Sequence, residues 1–91
     1  MSYLIEFTDT AKNDISSLKK TDKKSFDKLI LLLNELKENP RTGLGKPKIL
    51  KHGLKGLWSR RISQKHRLVY LINEDEFFVL VVSAKGHYFD K

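Results

Sequence analysis

The first hydrophobic pattern in the chain is an alternation with a period of two. In residues 3–7, YLIEF, the side chains of Tyr3, Ile5 and Phe7 fall on one side of an extended backbone, and the residues between them fall on the other. This period is typical of a strand that is buried on one face. We therefore predict a first β-strand over these residues.

Two helical patterns follow this strand. Thr8 or Asp9 offers an N-cap, and apolar residues then recur at helical spacing up to about residue 20. Thr21 and Asp22 cap a second helix, which should end near residue 38 because Pro40 biases the preceding residue away from the α region. The apolar stripe of this second helix is predicted to be core and comprises Phe26, Leu29, Ile30, Leu31, Leu32, Leu33 and Leu36.

Residues 40–56 are rich in residues that interrupt regular structure. They contain both prolines and four of the five glycines, so we expect irregular backbone with one short strand at residues 48–51. Loops on a rigid scaffold often carry functional groups. The stretch GLGKP lacks the spacing and the Ser or Thr of a P-loop, so that interpretation is rejected.

Three strands are predicted after this loop, at residues 57–63, 67–73 and 76–84. The first turn between them is expected at Gln64–His66 and the second at residues 73–75. The last strand contains FFVLVVSA, which is apolar on both faces, so it should be central or covered on both sides. The order of elements predicts one α+β domain over residues 1–91, with two helices on one face of a mainly antiparallel, curved sheet of four to five strands.

The positive charge is concentrated in the middle of the chain. Of the 18 basic and 11 acidic residues, nine basic residues and no acidic residue fall within residues 39–73. The formal net charge of +7 is therefore one patch. Clustered cations repel one another unless a polyanion neutralises them, so a phosphate backbone is the expected partner.

Composition argues against several classes of function. The chain has no cysteine for a disulfide or a thiolate metal site, and its three histidines are not spaced as a metal motif. The N-terminus does not resemble a signal peptide, and the longest apolar runs are far shorter than the roughly 20 residues of a membrane helix. We expect a cytoplasmic protein with neither a metal site nor a membrane contact.

Three arginines lie on predicted strands, where a charge is costly. A solvated surface accounts for several lysines of the patch, Lys46 included. Arg60, Arg61 and Arg67 differ because a planar guanidinium binds phosphate with two parallel hydrogen bonds and stays ionised when partly buried. We predict an odd-length turn, which places Arg61 and Arg67 on one face, whereas an even-length turn would separate them unless a bulge intervened.

His87 and Tyr88 follow the last predicted strand. Such a pair most often lies on the surface without a chemical role, but a histidine beside a phosphate-binding face could donate a proton. No cluster of Ser, His and an acid is evident, so catalysis by a serine nucleophile is unsupported.

Residues Gly43–Tyr70, GLGKPKILKHGLKGLWSRRISQKHRLVY, with the later His-Tyr pair, resemble the YoeB/Txe branch of the RelE-like toxins of bacterial toxin–antitoxin pairs. WSRRI at residues 58–62 and HRLVY at residues 66–70 carry most of this resemblance. It covers most of the chain, including the β, α, α start.

The resemblance implies a metal-independent endoribonuclease that cleaves messenger RNA in the ribosomal decoding site. The ribose 2′-hydroxyl would attack its own 3′-phosphate. Carried over by motif, Arg67 would be the main stabiliser of the phosphorane, His87 the general acid, and Tyr88 the residue that orients the nucleotide. The residues expected to bind RNA or phosphate are Lys46, Lys51, His52, Arg60 and Arg61.

Two features depart from the family pattern. The family usually has KPEPLK, whose glutamate is the general base, whereas this chain has Lys48 in that position. Either Lys48 or Lys51 loses its proton because of neighbouring cations, another group serves as the base, or cleavage is slow. The tail Phe89–Lys91 extends past the usual His-Tyr end, where it either packs on the sheet or crowds the site.

The sequence leaves three functions open. The first is the ribosome-dependent nuclease, held inactive by a YefM/Axe-like antitoxin whose acidic, partly disordered segment folds across the cationic face. The second, favoured by Lys48, is a catalytically weak or inactive relative that binds its antitoxin and, through that complex, operator DNA. The third is a plain RNA-binding module, which explains the charge but leaves His87 and Tyr88 without a role.

Overall fold

The computed structural model describes residues 2–50 and 56–86, and this part of the chain forms two helices and a five-stranded sheet. The elements in chain order are β1 (Leu4–Phe7), α1 (Asp9–Thr21), α2 (Lys23–Leu36), β2 (Lys48–Ile49), β3 (Leu57–Arg61), β4 (Arg67–Asn73) and β5 (Phe78–Ser83). The predicted α+β class is confirmed.

The sheet has the strand order β1-β5-β4-β3-β2 and is mainly antiparallel, as predicted. β1 pairs with β5 in parallel, and the other three pairings are antiparallel. β5 therefore lies between two strands, which confirms the interior position predicted from its apolar sequence. Its Val79 and Val81 are fully buried and join the core under the helices.

A single residue joins the two helices. The backbone N–H of Asp22 donates to the carbonyl of Leu18 at the end of α1 (2.8 Å). Its carboxylate accepts from the hydroxyl and the backbone N–H of Ser25 in the first turn of α2 (2.8 and 3.1 Å), and these two bonds lower the pKa of Asp22. Thr8 caps α1 by accepting from the backbone N–H of Ala11 (3.0 Å). Thr8 is one of the two N-caps predicted as alternatives for α1, and Asp22 is one of the two residues predicted to cap α2.

The core lies between the helices and one face of the sheet. Leu29, Leu32 and Leu36 of α2 are fully buried, as predicted. Ile30 and Leu31 are 38% and 56% exposed, so the prediction that the whole apolar stripe is core is wrong at these two positions. They lie on the side of α2 that a two-layer arrangement turns away from the sheet.

β3 and β4 form the hairpin that carries the arginines. Arg61 pairs directly with Arg67 across the hairpin, so the turn comprises residues 62–66 and its predicted odd length is confirmed. β3 ends two residues earlier than predicted, because the backbone N–H groups of Ile62 and Ser63 both donate to the carbonyl of His66 within the turn (3.0 and 3.2 Å).

The remaining predicted boundaries shift by one or two residues. α2 ends at Leu36, and β2 is confined to Lys48–Ile49. β5 begins at Phe78 because the backbone N–H of Glu76 donates to the side chain of Asn73 within the preceding turn (2.9 Å). Across the described residues, neither helix has the length and apolar character needed to cross a membrane.

Candidate functional site

A small cleft opens on the sheet face that is turned away from the helices. Arg60 and Tyr70 point into the interior, so the twofold period of the strands places their neighbours on the other face. The cleft has a volume of about 130 Å³, and the residues that line it are Gly45, Lys46, Lys48, Ser59, Arg61 and Arg67. Four of these six carry a positive charge and none carries a negative charge. Such a cleft favours an anionic ligand.

The two arginines of the cleft face each other across the β3–β4 hairpin. Directly paired residues on one face have Cβ atoms roughly 4.5–5.5 Å apart, so Arg61 and Arg67 repel each other. Burial, and then the charge of Arg61, lower the pKa of Arg67 below its ordinary value. An anion bound between them would relieve this repulsion.

The turn orients the guanidinium of Arg67. Its Nη1 donates to the carbonyls of Ser63 and His66 (2.6 and 3.1 Å). Its Nε and Nη2 make no hydrogen bond within residues 2–50 and 56–86. Nη1 is therefore held by the turn, and Nε and Nη2 are not occupied by the described residues, so they suit a phosphate oxygen.

The lysines of the cleft come from the segment between α2 and β3. The carbonyl of Gly45 accepts from the backbone N–H of Arg61 (2.7 Å), which brings Lys46 to the edge of the cleft. Gly45 has a φ of +80°, and a Cβ built on it would lie 3.0 Å from the carbonyl oxygen of Arg61. Only glycine suits this close approach. Lys48 enters the cleft because β2 pairs it with Ser59 of β3.

Arg60 lies outside the cleft, so the structure does not support the prediction that placed it in the phosphate-binding set. Its side chain is fully buried on the helix side of the sheet. Its acceptors are the hydroxyl of Tyr70, the carboxylate of Glu35 and the backbone carbonyls of Asn39, Thr42 and Leu44. These five hydrogen bonds use every N–H that a guanidinium has, so none remains for a ligand.

Backbone bonds at Gly86 hold the end of the described chain beside the cleft. The N–H of Gly86 donates to Nδ1 of His66 (2.8 Å), and its carbonyl accepts from the N–H of Arg67 (3.0 Å). His66 was identified from the sequence only as part of a motif, and its hydrogen bond with Gly86 was not predicted. The signal was its place immediately before Arg67, in the turn that faces the end of β5.

Four predicted site residues lie outside the described part of the chain, namely Lys51, His52, His87 and Tyr88. Of the other predicted residues, the structure brings Lys46, Lys48, Arg61 and Arg67 together in the cleft. Within residues 2–50 and 56–86, no group of three or more His, Asp or Glu side chains is arranged to hold a metal ion.

Known proteins are similar to this chain in both sequence and fold. Residues 7–88 match the family of YoeB-like toxins of bacterial type II toxin–antitoxin systems. The toxin YoeB of Synechocystis sp. is 39% identical over 84 residues, which are 92% of this chain and 95% of that relative.

Two solved structures extend the comparison. The YoeB/ParE toxin from Agrobacterium tumefaciens superposes with a TM-score of 0.87 at 33% identity, covering 93% of this chain and 99% of the other. The YoeB–YefM complex from Staphylococcus aureus superposes with a TM-score of 0.80 at 35% identity, covering 97% and 100%. This chain therefore belongs to the YoeB-like toxins of bacterial type II toxin–antitoxin systems.

Proposed function

We propose that this toxin is a ribosome-dependent endoribonuclease that cleaves messenger RNA in the decoding site. The observation that carries the proposal is the directly paired Arg61 and Arg67, which share one small cleft with Lys46 and Lys48. A cluster of cations with no acid among them suits a phosphate whose negative charge increases during the reaction.

The proposed reaction needs no covalent enzyme intermediate. The ribose 2′-oxygen attacks the adjacent 3′-phosphorus, a pentacovalent phosphorane forms, and the bond from phosphorus to the 5′-oxygen then breaks. A base takes the proton of the 2′-hydroxyl, and an acid gives a proton to the leaving 5′-oxygen. The products are a 2′,3′-cyclic phosphate and a 5′-hydroxyl.

Arg67 is proposed as the main stabiliser of the phosphorane. Its oriented guanidinium supports this role, as do its Nε and Nη2, which make no hydrogen bond to the described residues, because fixed donors aimed at developing charge need little reorganisation during the reaction. Arg61, directly opposite, supports it. Lys51, carried over from the family motif, is proposed as a further supporting cation.

His87 is proposed as the general acid, and Tyr88 as the residue that stacks on the reacting nucleotide. Support comes from the position of Gly86, which directly precedes His87 in the sequence and is hydrogen-bonded to the side chain of His66 and to the backbone of Arg67. Lys48 occupies the place of the general base in the family pattern. Its proposed role is either to act as that base or to hold the phosphate.

An antitoxin is proposed as the protein partner. The Staphylococcus aureus relative forms a YoeB–YefM complex, and it covers 97% of this chain. An acidic, partly disordered antitoxin segment would fold across the cationic cleft and keep RNA out. The complex is further proposed to bind operator DNA.

A second function is favoured by one observation, the lysine at position 48. If no other group takes the proton of the 2′-hydroxyl, the protein would act mainly by binding its antitoxin. The two functions predict different results when the toxin is expressed without a partner. The nuclease arrests growth and fragments messenger RNA, and co-expression of the antitoxin reverses both effects. Unchanged growth and intact messenger RNA at a matched level of folded protein would favour the second function.

A further inference from the structure

The loop that forms one wall of the cleft is held by side chains from other elements. Residues 39–46 lie between α2 and β2 and contain no helix or strand. They nevertheless bring Gly45 and Lys46 into a defined position against β3. Backbone groups in such a segment must find partners elsewhere, so the partners decide where the segment lies.

We propose that Arg60, with Glu35 and Tyr70, is a positioning group of the nuclease that sets the place of Lys46 beside Arg61 and Arg67. This inference rests on the proposed function. Arg60 does not touch the cleft, so it acts on the reaction only through the loop.

Arg60 binds the loop through its backbone carbonyls. Its Nη2 donates to the carbonyls of Asn39 and Thr42, the latter at 2.9 Å, and its Nη1 donates to the carbonyl of Leu44 at 3.1 Å. Three carbonyls spread over six residues therefore converge on one guanidinium. Since the group is rigid and planar, it fixes the curvature of the loop as well as its distance from the sheet.

Glu35 and Tyr70 complete the attachment of the loop. The carboxylate of Glu35 accepts from Arg60 at 2.6 Å and from the backbone N–H of Leu44 at 2.7 Å. The hydroxyl of Tyr70 accepts from Nε of Arg60 at 3.1 Å and donates to the carbonyl of Pro40 at 2.7 Å. The three side chains thus bind the loop along most of its length.

The part of the loop that these three side chains hold is directly followed by residues that line the cleft. Gly45, one residue after the last of these contacts, accepts from the backbone N–H of Arg61 at 2.7 Å. A Cβ built on Gly45 would lie 3.1 Å from the Cβ of Arg60, so the loop rests directly on β3. Arg60 and Arg61 are adjacent and point to opposite faces of the sheet. The same short strand therefore holds the loop on one face and supplies a phosphate-binding cation on the other.

Stability alone is a weak reason for this arrangement. Buried ion pairs are often replaced by apolar side chains without loss of stability, because removing the charges from water costs about as much as their attraction returns. A buried arginine with all its donors bound to one loop does, however, define a single position for that loop. The position matters because catalytic groups lose efficiency when they are slightly misplaced.

A double-mutant cycle tests the inference. Tyr70→Phe removes the hydroxyl between Arg60 and Pro40 but keeps the ring, and Lys46→Ala removes the cation that the loop presents. Single-turnover cleavage of messenger RNA is measured on programmed ribosomes at 25 °C, with the folded fraction of each variant determined by circular dichroism. Thr8→Val, which removes the side-chain cap of α1 and its bond to the carbonyl of Val82, is the destabilised control outside the loop.

We expect Tyr70→Phe to slow cleavage on the order of tenfold, less than the roughly hundredfold that a misplacement of about 1 Å can cost. In the Lys46→Ala background the same change should slow cleavage by less than about twofold, because the group it positions is already absent. Equal losses in the two backgrounds, or an equal loss in Thr8→Val, would overturn the inference. A folded parent that does not cleave at all would instead refute the proposed function, and this inference with it.

A conservative pair of variants gives a second test. Glu35→Gln keeps an oxygen that can accept from Arg60 and from the N–H of Leu44, whereas Glu35→Leu does not. We expect Glu35→Gln to cleave within about threefold of the parent and Glu35→Leu to be slower than Glu35→Gln by about tenfold, at equal folded fraction. Equal rates in these two variants would contradict a positioning role.

Discussion

Arg67 is the cation whose surroundings are best suited to a phosphate. The turn carbonyls fix one edge of its guanidinium, and Arg61 opposes it with a like charge. We expect Arg67→Ala to raise the activation free energy of single-turnover ribosomal cleavage by about 3 kcal/mol, by analogy with the loss of one oxyanion donor.

The matched control for this variant is Lys12→Ala, which removes an exposed cation from α1, on the other side of the sheet. Lys12→Ala should cleave like the parent. If Arg67→Ala cleaved at the parental rate while Arg61→Ala did not cleave, the main phosphorane contact would be assigned to Arg61.

Substitution of Lys48 tests which group takes the proton of the 2′-hydroxyl. Lys48→Glu restores the usual family residue, and the cleft offers the new carboxylate several cations and no competing acid. We expect cleavage by this variant to be as fast as that of the parent or faster, in the same single-turnover assay. A sharp fall in rate, with the melting temperature unchanged, would mean that Lys48 itself is the base or holds the phosphate.

At the level of elements, β3 explains both what the sequence could predict and what it could not. That Arg61 and Arg67 share a face depends only on the parity of the turn, so it was predictable. Their direct pairing was not predicted, because the turn expected at Gln64–His66 would have placed Arg61 opposite Val69. The burial of Arg60 was not predicted, although Trp58 and Ile62 flank it with a period of two on the core side. Its partners Glu35 and Tyr70 come from α2 and β4, and no local pattern identifies them.

The pairing of Lys48 with Ser59 is a second feature that the sequence could not predict. Within the described residues 40–50, the glycines and prolines correctly predicted an irregular segment with a short strand, but not where Lys48 would lie. Its place in the cleft depends on the antiparallel pairing of β2 with β3. Because so few residues of β2 are paired, contacts outside the strand set this register. Here the contact is the hydrogen bond from the backbone N–H of Arg61 to the carbonyl of Gly45.

The junction of α1 and α2 leads to a prediction of how the stability of the fold depends on pH. The bonds from Ser25 lower the pKa of Asp22 in the folded state, so the ionised carboxylate stabilises the fold. This contribution is complete above the ordinary pKa of 3.8 and is lost as the pH falls through the lower folded-state value. The melting-temperature difference between the parent and Asp22→Asn should therefore be largest near pH 7 and shrink below about pH 4.

Thermal unfolding followed by circular dichroism between neutral and acidic pH measures this difference. Asp27→Asn is a suitable control, since Asp27 is exposed and forms an ion pair with Lys23 of the same helix. A melting-temperature difference between the parent and Asp22→Asn that is independent of pH would show that the charge of Asp22 does not stabilise the helix junction.

At the scale of the whole molecule, the charge of +7 should make RNA binding sensitive to salt. Each phosphate contact with a single strand contributes about −0.7 to the slope of log K against log salt concentration. Arg61→Ala removes one predicted contact, so it should make the slope shallower by about 0.7. Binding of a fluorescent single-stranded RNA across a salt series measures the slope, with Lys12→Ala as the control. A slope for Arg61→Ala equal to that of the parent would exclude Arg61 from the RNA contacts.

The most direct test of the nuclease function is to map cleavage on an mRNA programmed into ribosomes, by primer extension, with the parent and with His87→Gln. We expect cleavage by the parent within the codon in the decoding site, and loss of that cleavage in a folded His87→Gln variant. Undiminished cleavage by His87→Gln would remove His87 as the general acid. Absence of cleavage by the well-folded parent would contradict the nuclease function and leave a toxin-family protein whose role is to bind its partner.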